Sequence, residues 1–102
     1  MASRLSLHEE LCKVLGTRYV YFQPPESLKL DYPCVIYSRS SPRKHNANDK
    51  LYMSTNRYEG TVIDYDPDSK IPDKIVNHFP MCTLDRSYIS DKLNHFTFTL
   101  YY

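Results

Sequence analysis

The segment that most constrains the fold is Tyr58 to Tyr102, forty-five residues that read as strand, acidic turn, short helix, strand, turn and strand. In the last strand Phe96, Phe98, Leu100 and Tyr102 alternate with His95, Thr97, Thr99 and Tyr101, so one face is apolar and the other polar. A strand that carries this pattern to Tyr101 and Tyr102 is expected to pair, within its own sheet or with another subunit, rather than fray.

Backwards from that strand, Met81–Ile89 and Leu93–Tyr102 predict a hairpin around Ser90, Asp91 and Lys92. Ile71, Ile75, Val76 and Phe79 recur at helical spacing; Ser69 or Asp68 can cap that helix, Pro72 fits only its first turn and Pro80 ends it. In the turn before it, Pro67 fixes its own backbone and the flanking aspartates can bond nearby amides. At the other end of the chain, Ser6 with Glu9 has capping-box spacing, Leu7, Leu11, Val14 and Leu15 share a helix face, and Gly16 supplies the stop. Short strands are expected at Tyr19–Gln23, closed by Pro24 and Pro25, and at Cys34–Tyr37. Residues 39–57 lose all periodicity and read as a long loop or an extended hairpin.

These elements predict a single α+β domain: a largely antiparallel sheet of four to five strands with two helices packed on one face. The length of 102 residues suits one modest core, and 41% apolar against 25% charged residues is ordinary for a globular chain. No apolar run approaches the twenty or so residues that span a bilayer, and MASRLSLHEEL reaches acidic residues early, so cytosolic synthesis without a membrane segment is expected. Cys12, Cys34 and Cys82 are odd in number and without a CxxC pair, which predicts reduced, buried thiols. Ten tyrosines and no tryptophan suit either strands or interfaces.

A net charge of +1 conceals a separation. Arg39, Arg43, Lys44, Lys50 and Arg57 stand against Asp49 alone, a local balance of +4, whereas Glu59, Asp64, Asp66, Asp68 and Asp73 stand against Lys70 alone, a balance of −4. In a head-to-tail assembly one subunit's basic loop could meet the next one's acidic turn. Four excess charges and no phosphate loop predict at most transient, non-specific contact with DNA. Asp64, Asp66 and Asp68 have the spacing of a calcium loop's first ligands, but Ser69 replaces its glycine, Ile75 its bidentate glutamate, and Pro67 stiffens the middle. A helix-capping turn and no metal are expected there. His78 and Cys82 are two donors where zinc wants four. His8, His45, His78 and His95 fall in no catalytic motif; a phosphate-directed nuclease or toxin using His45 or His95 with Arg43 or Lys44 is the enzymatic alternative.

Three segments, YPCVIYSRS (32–40), YEGTVIDYDPDSKIPDKIV (58–76) and CTLDRSYISDKLNHFTFTLYY (82–102), together nearly half the chain, resemble the tail terminators of tailed bacteriophages, small tail-completion proteins at the neck between tail tube and head. The resemblance implies a virion protein assembled in the host cytoplasm. It implies a ring of six copies that closes the tail tube and offers a surface to the head connector, with no enzyme activity and no cofactor. The family has no catalytic residues to carry over. A head-closure or stopper ring of the same neck is the nearest alternative, with residues 39–57 as its channel plug. Subunit or partner contacts are therefore expected from Arg39, Arg43, Lys44, Lys50, Arg57, Asp64, Asp66, Asp68, Thr97, Thr99, Tyr101 and Tyr102.

Overall fold

The protein is described by a computed structural model covering residues 4–40 and 56–102. Among them the elements run α1 (Arg4–Leu15), β1 (Val20–Phe22), β2 (Cys34–Ser40), β3 (Arg57–Asp64), α2 (Ile71–His78), β4 (Cys82–Ser90) and β5 (Leu93–Tyr101). The strands form one five-stranded sheet in the order β1-β2-β3-β5-β4. All neighbours are antiparallel except β1 and β2, which run parallel. This is the expected α+β fold, with the two helices packed against the sheet.

Cross-strand register explains the core. Val20, Val35, Val62 and Phe96 form one row across the sheet, and Phe22, Tyr37, Gly60, Phe98 and Leu84 the next. Tyr58, Leu100 and Cys82 form a third row. Against these rows pack Leu7, Leu11 and Cys12 of α1, with Ile75 of α2 and the adjacent Phe79. Leu7, Leu11 and Ile75 are completely or almost completely buried, each stabilising the fold by roughly 1.5–3 kcal/mol. Gly60 lies between two aromatic residues in its row: a Cβ there would stand 2.7 Å from Cε1 and Cε2 of Phe98. The absence of a side chain lets the ring of Phe98 lie on the β3 backbone.

Both helix C-termini follow the sequence; at the N-termini the cap of α2 is Lys70, without a side-chain cap bond, rather than Ser69 or Asp68, and Ser6 does not cap α1. Gly16 adopts φ +83 and its N–H donates to the carbonyl of Cys12 at 2.9 Å, stopping α1 where expected. Ser69 Oγ accepts the N–H of Ile71 at 3.3 Å, while Lys70 is the residue immediately before α2. Pro72 is buried near the start of α2 and Phe79 closes its end. Ser6 differs. It lies inside α1, and its hydroxyl shares a 2.8 Å hydrogen bond with the hydroxyl of Tyr102. The capping-box spacing was a local pattern, and a tertiary contact has taken its serine instead.

The parallel β1–β2 pair needs a crossover, and residues 23–33 supply it without a helix. Gln23 turns out of β1 at φ +46. Leu28 and Leu30 then line a groove with Ile36 and Ser38, on the sheet face opposite the helices. β2 and β3 pair from Cys34–Ile63 to Ser40–Arg57, so Ser40 and Arg57 lie side by side. β4 and β5 join through Asp91 and Lys92, both at positive φ (52 and 64), a two-residue hairpin turn of the kind that matches strand twist.

Candidate functional site

Register sorts the charged residues by position along the strands. Arg39 and Arg57 lie at one end of the sheet, beside Tyr101 and the entry to segment 41–56. Asp64, the turn Asp66–Asp68 and the hairpin residue Asp91 lie at the other. Seven steps of β3 separate Arg57 from Asp64, roughly 23 Å at ~3.3 Å per residue. Among the described residues, Arg39 and Arg57 are thus held apart from Asp64, Asp66 and Asp68 by β3, whereas Glu59 of the acidic group stays at the basic end, paired with Arg57. Arg43, Lys44 and Lys50, like His45, fall outside the described residues.

At the basic end, Arg39 is exposed, with its guanidinium 5.6 Å from the Tyr58 ring and its Nη2 donating to the Tyr58 hydroxyl at 3.2 Å. Arg57 pairs with Glu59 at 3.4 Å, and its buried Nε has no hydrogen-bond partner among the described residues. At the acidic end the carboxylates are part of the turn itself. Asp64 Oδ1 accepts the N–H of Asp66 at 3.2 Å, and Asp66 Oδ1 accepts that of Asp68 at 2.9 Å. Beside them Tyr65 is two-thirds exposed and meets Tyr32 edge-on at 5.7 Å. Among the described residues no group of three His, Cys, Asp or Glu is placed to hold a metal.

The polar face of β5 is spent differently from a bare contact surface. β4 carries one extra residue between Leu84 and Arg86, a bulge at Asp85. Thr97 Oγ1 accepts from the N–H of Arg86 and donates to its carbonyl, both at 3.2 Å, and Thr99 Oγ1 donates to Asp85 Oδ2 at 2.6 Å. Thr97 and Thr99 thus clamp the bulge. Tyr102 turns to the helix side, where it packs edge-on against Phe79 at 6.0 Å and meets Ser6. Tyr101 lies on the opposite face, in register with Arg57.

The exposed β4 flank was not among the sequence expectations. Every residue of β4 after Cys82 is exposed, including Leu84 at 45%, Tyr88 at 42% and Ile89 at 74%. Leu84 and Ile89 point to the helix side but lie beyond its cover, while Arg86 and Tyr88 face the other way, with the Tyr88 ring stacked on His95 at 4.8 Å. The adjacent charges of Asp85 and Arg86, which interrupt strand alternation, were the available signal for the bulge.

His8, His78, Cys34 and Cys82 serve the fold. His8 Nδ1 shares a 2.8 Å hydrogen bond with the Tyr37 hydroxyl, and burial, aided by Arg4, lowers its pKa. His78 Nε2 meets Glu10 at 2.9 Å, joining α2 to α1. Burial raises the thiols of Cys34 and Cys82 to about 11, which keeps them protonated and unreactive at neutral pH. No helix among the described residues is long and apolar enough to cross a membrane.

Comparison with protein-family models, with curated proteins and with solved structures gives no match to this chain.

Proposed function

We propose that this chain is a non-enzymatic structural subunit of a tailed-bacteriophage neck: a tail terminator that forms a ring, of six copies, ends the tail tube and joins it to the head connector. The observation that carries the reading is the unlike charge at the two ends of the sheet, with Arg39 and Arg57 beside Glu59 at one and Asp64, Asp66, Asp68 and Asp91 beside Lys92 at the other. A neck subunit has two different axial neighbours, tube and connector, and needs two different ends to tell them apart. Joined head to tail, such patches close a ring where the rotation between copies closes and give an open filament where it does not. In this reading the charged ends serve the axial neighbours and the flanks carry the ring contacts.

Electron microscopy of the purified protein, alone and mixed with tail tubes, tests this. Rings seated at one end of each tube are the expected result. A protein that never binds tubes or connectors would sink the proposal.

A further inference from the structure

β4 ends the sheet, so one whole edge of its backbone has no strand neighbour among the described residues. Among the described residues neither a short strand nor a covering helix protects this edge: the strand is nine residues long and exposed along almost its full length. The bulge at Asp85 and the charges beside it would ordinarily blunt such an edge. Here they define one partner.

In an antiparallel ladder, alternate residues turn their N–H and carbonyl to the same neighbour. The carbonyl of Met81 accepts from the N–H of Tyr101, and Ser90 closes on Leu93 across the hairpin turn. Counting from both ends, Thr83, Arg86 and Tyr88 face β5, and Cys82, Leu84, Ser87 and Ile89 face outward. The bulge widens the middle spacing of this outward set from two residues to three. Only a strand with the same irregularity at the same place can match it.

We propose that β4 pairs antiparallel with β4 of a second copy, about a two-fold axis between Asp85 and Arg86, in the free subunit. In that register Leu84 faces Ser87 of the second copy, Cys82 faces Ile89, and the two widened spacings coincide. Asp85 of each copy then faces Arg86 of the other, on the sheet face that both line with Thr97. A slip of one residue either way would set Asp85 against Asp85 or Arg86 against Arg86, which is destabilising. Ile89 and Leu84 lose their exposure in the pair. A contact one strand wide is smaller than the ~800 Å² per partner of stable complexes, so a weak dimer whose population rises with concentration is expected. A two-fold contact on this flank does not coexist with its use in a ring of like-oriented copies; the dimer is the state of the subunit before it meets a tube.

Sedimentation velocity of the full chain over a concentration series, without tubes, reads the dimer. Asp85→Arg and Arg86→Asp should each weaken it by at least about fourfold, because each turns two attractive cross-strand pairs into repulsive ones. The double exchange restores the cross-strand attraction and should make the dimer tighter than either single change does, while the hydrogen bond from Thr99 to Asp85 stays lost. Ile89→Lys, at an exposed site that leaves the core untouched, should also weaken it, and circular dichroism checks that each variant folds. A wild type monomeric at every concentration would overturn the proposal. So would a wild type that forms hexamers directly, an Arg86→Asp protein that dimerises like wild type, or a double exchange no tighter than the single changes. Tube binding is not read here, so this result and that for the neck ring stand or fall separately.

Discussion

Replacing Gly60 with alanine probes the packing at the centre of the sheet. The new Cβ would lie 2.7 Å from Cε1 and Cε2 of Phe98, about 1 Å inside the ~3.5–4.0 Å at which carbon atoms pack. Phe98 is 1% exposed and enclosed by the core, so its ring has no solvent side to tilt towards. Overpacking of this kind costs about 1–3 kcal/mol. Losing glycine's backbone freedom in the unfolded chain offsets about 0.4–1 kcal/mol. The net expectation is a loss of roughly 1–2 kcal/mol, or about 4–8 °C in Tm for each kcal/mol in a domain near this size. Urea denaturation should show a lower midpoint with an unchanged m-value. Phe98→Leu removes the ring atoms that the Cβ would strike, so its own cost should be smaller in the Gly60→Ala background, with a coupling of at least about 0.5 kcal/mol. A neutral or stabilising Gly60→Ala, or strict additivity of the two changes, would refute the close-approach argument.

Thr97→Val removes both side-chain hydrogen bonds to Arg86; a loss of about 1–2 kcal/mol in urea unfolding and faster amide exchange at Arg86 are expected. Lys92, at φ 64, holds a backbone conformation that strains a side chain, so Lys92→Gly should raise stability by about 0.5–1 kcal/mol in the same assay. His8 has a lowered pKa in the fold, so below its ordinary value of 6.5 the unfolded chain takes up its proton more readily than the folded one. Stability should therefore fall as pH drops through that window, and His8→Gln should flatten the profile measured by thermal unfolding.

Much of the fold was legible because the apolar pattern is local and periodic. Phe96, Phe98 and Leu100 alternate strictly, and Ile71, Ile75 and Phe79 keep helical spacing, so both elements and their buried faces could be read. What could not be read depends on partners distant in sequence. The serine of a capping-box pattern bonds a tyrosine ninety-six residues away. The parallel pairing of β1 with β2 comes from a three-residue strand whose register no local pattern encodes. At the candidate site the separation of charge was visible, but its sense was not: nothing in the sequence tells that β3 sets Arg39 and Arg57 at one end and Asp64, Asp66 and Asp68 at the other while keeping Glu59 beside Arg57. Thr97 and Thr99 read as free surface because their true partners, the bulge residues, look like any other strand positions.

The acidic end combines two roles that a conventional charge-reversal experiment would confuse. Asp64 and Asp66 carry negative charge and also accept backbone N–H groups that shape the turn, so replacing them with lysine would alter the turn and the field together. Asparagine keeps a side-chain oxygen as acceptor and removes the charge. The triple change Asp64→Asn, Asp66→Asn, Asp68→Asn should therefore leave stability within about 1 kcal/mol of wild type, since Asp and Asn both support such turns. Docking at that end should weaken, and its dependence on ionic strength should flatten, because exposed charges act across a Debye length of only ~10 Å at 0.1 M salt. Pull-down on tail tubes and on connectors across a salt series separates the outcomes. Loss confined to one of the two partners is what two unlike ends require. Equal loss on both would mean that the charge polarity of the strands does not distinguish the axial neighbours, and unchanged docking on both would mean that the turn is structural only.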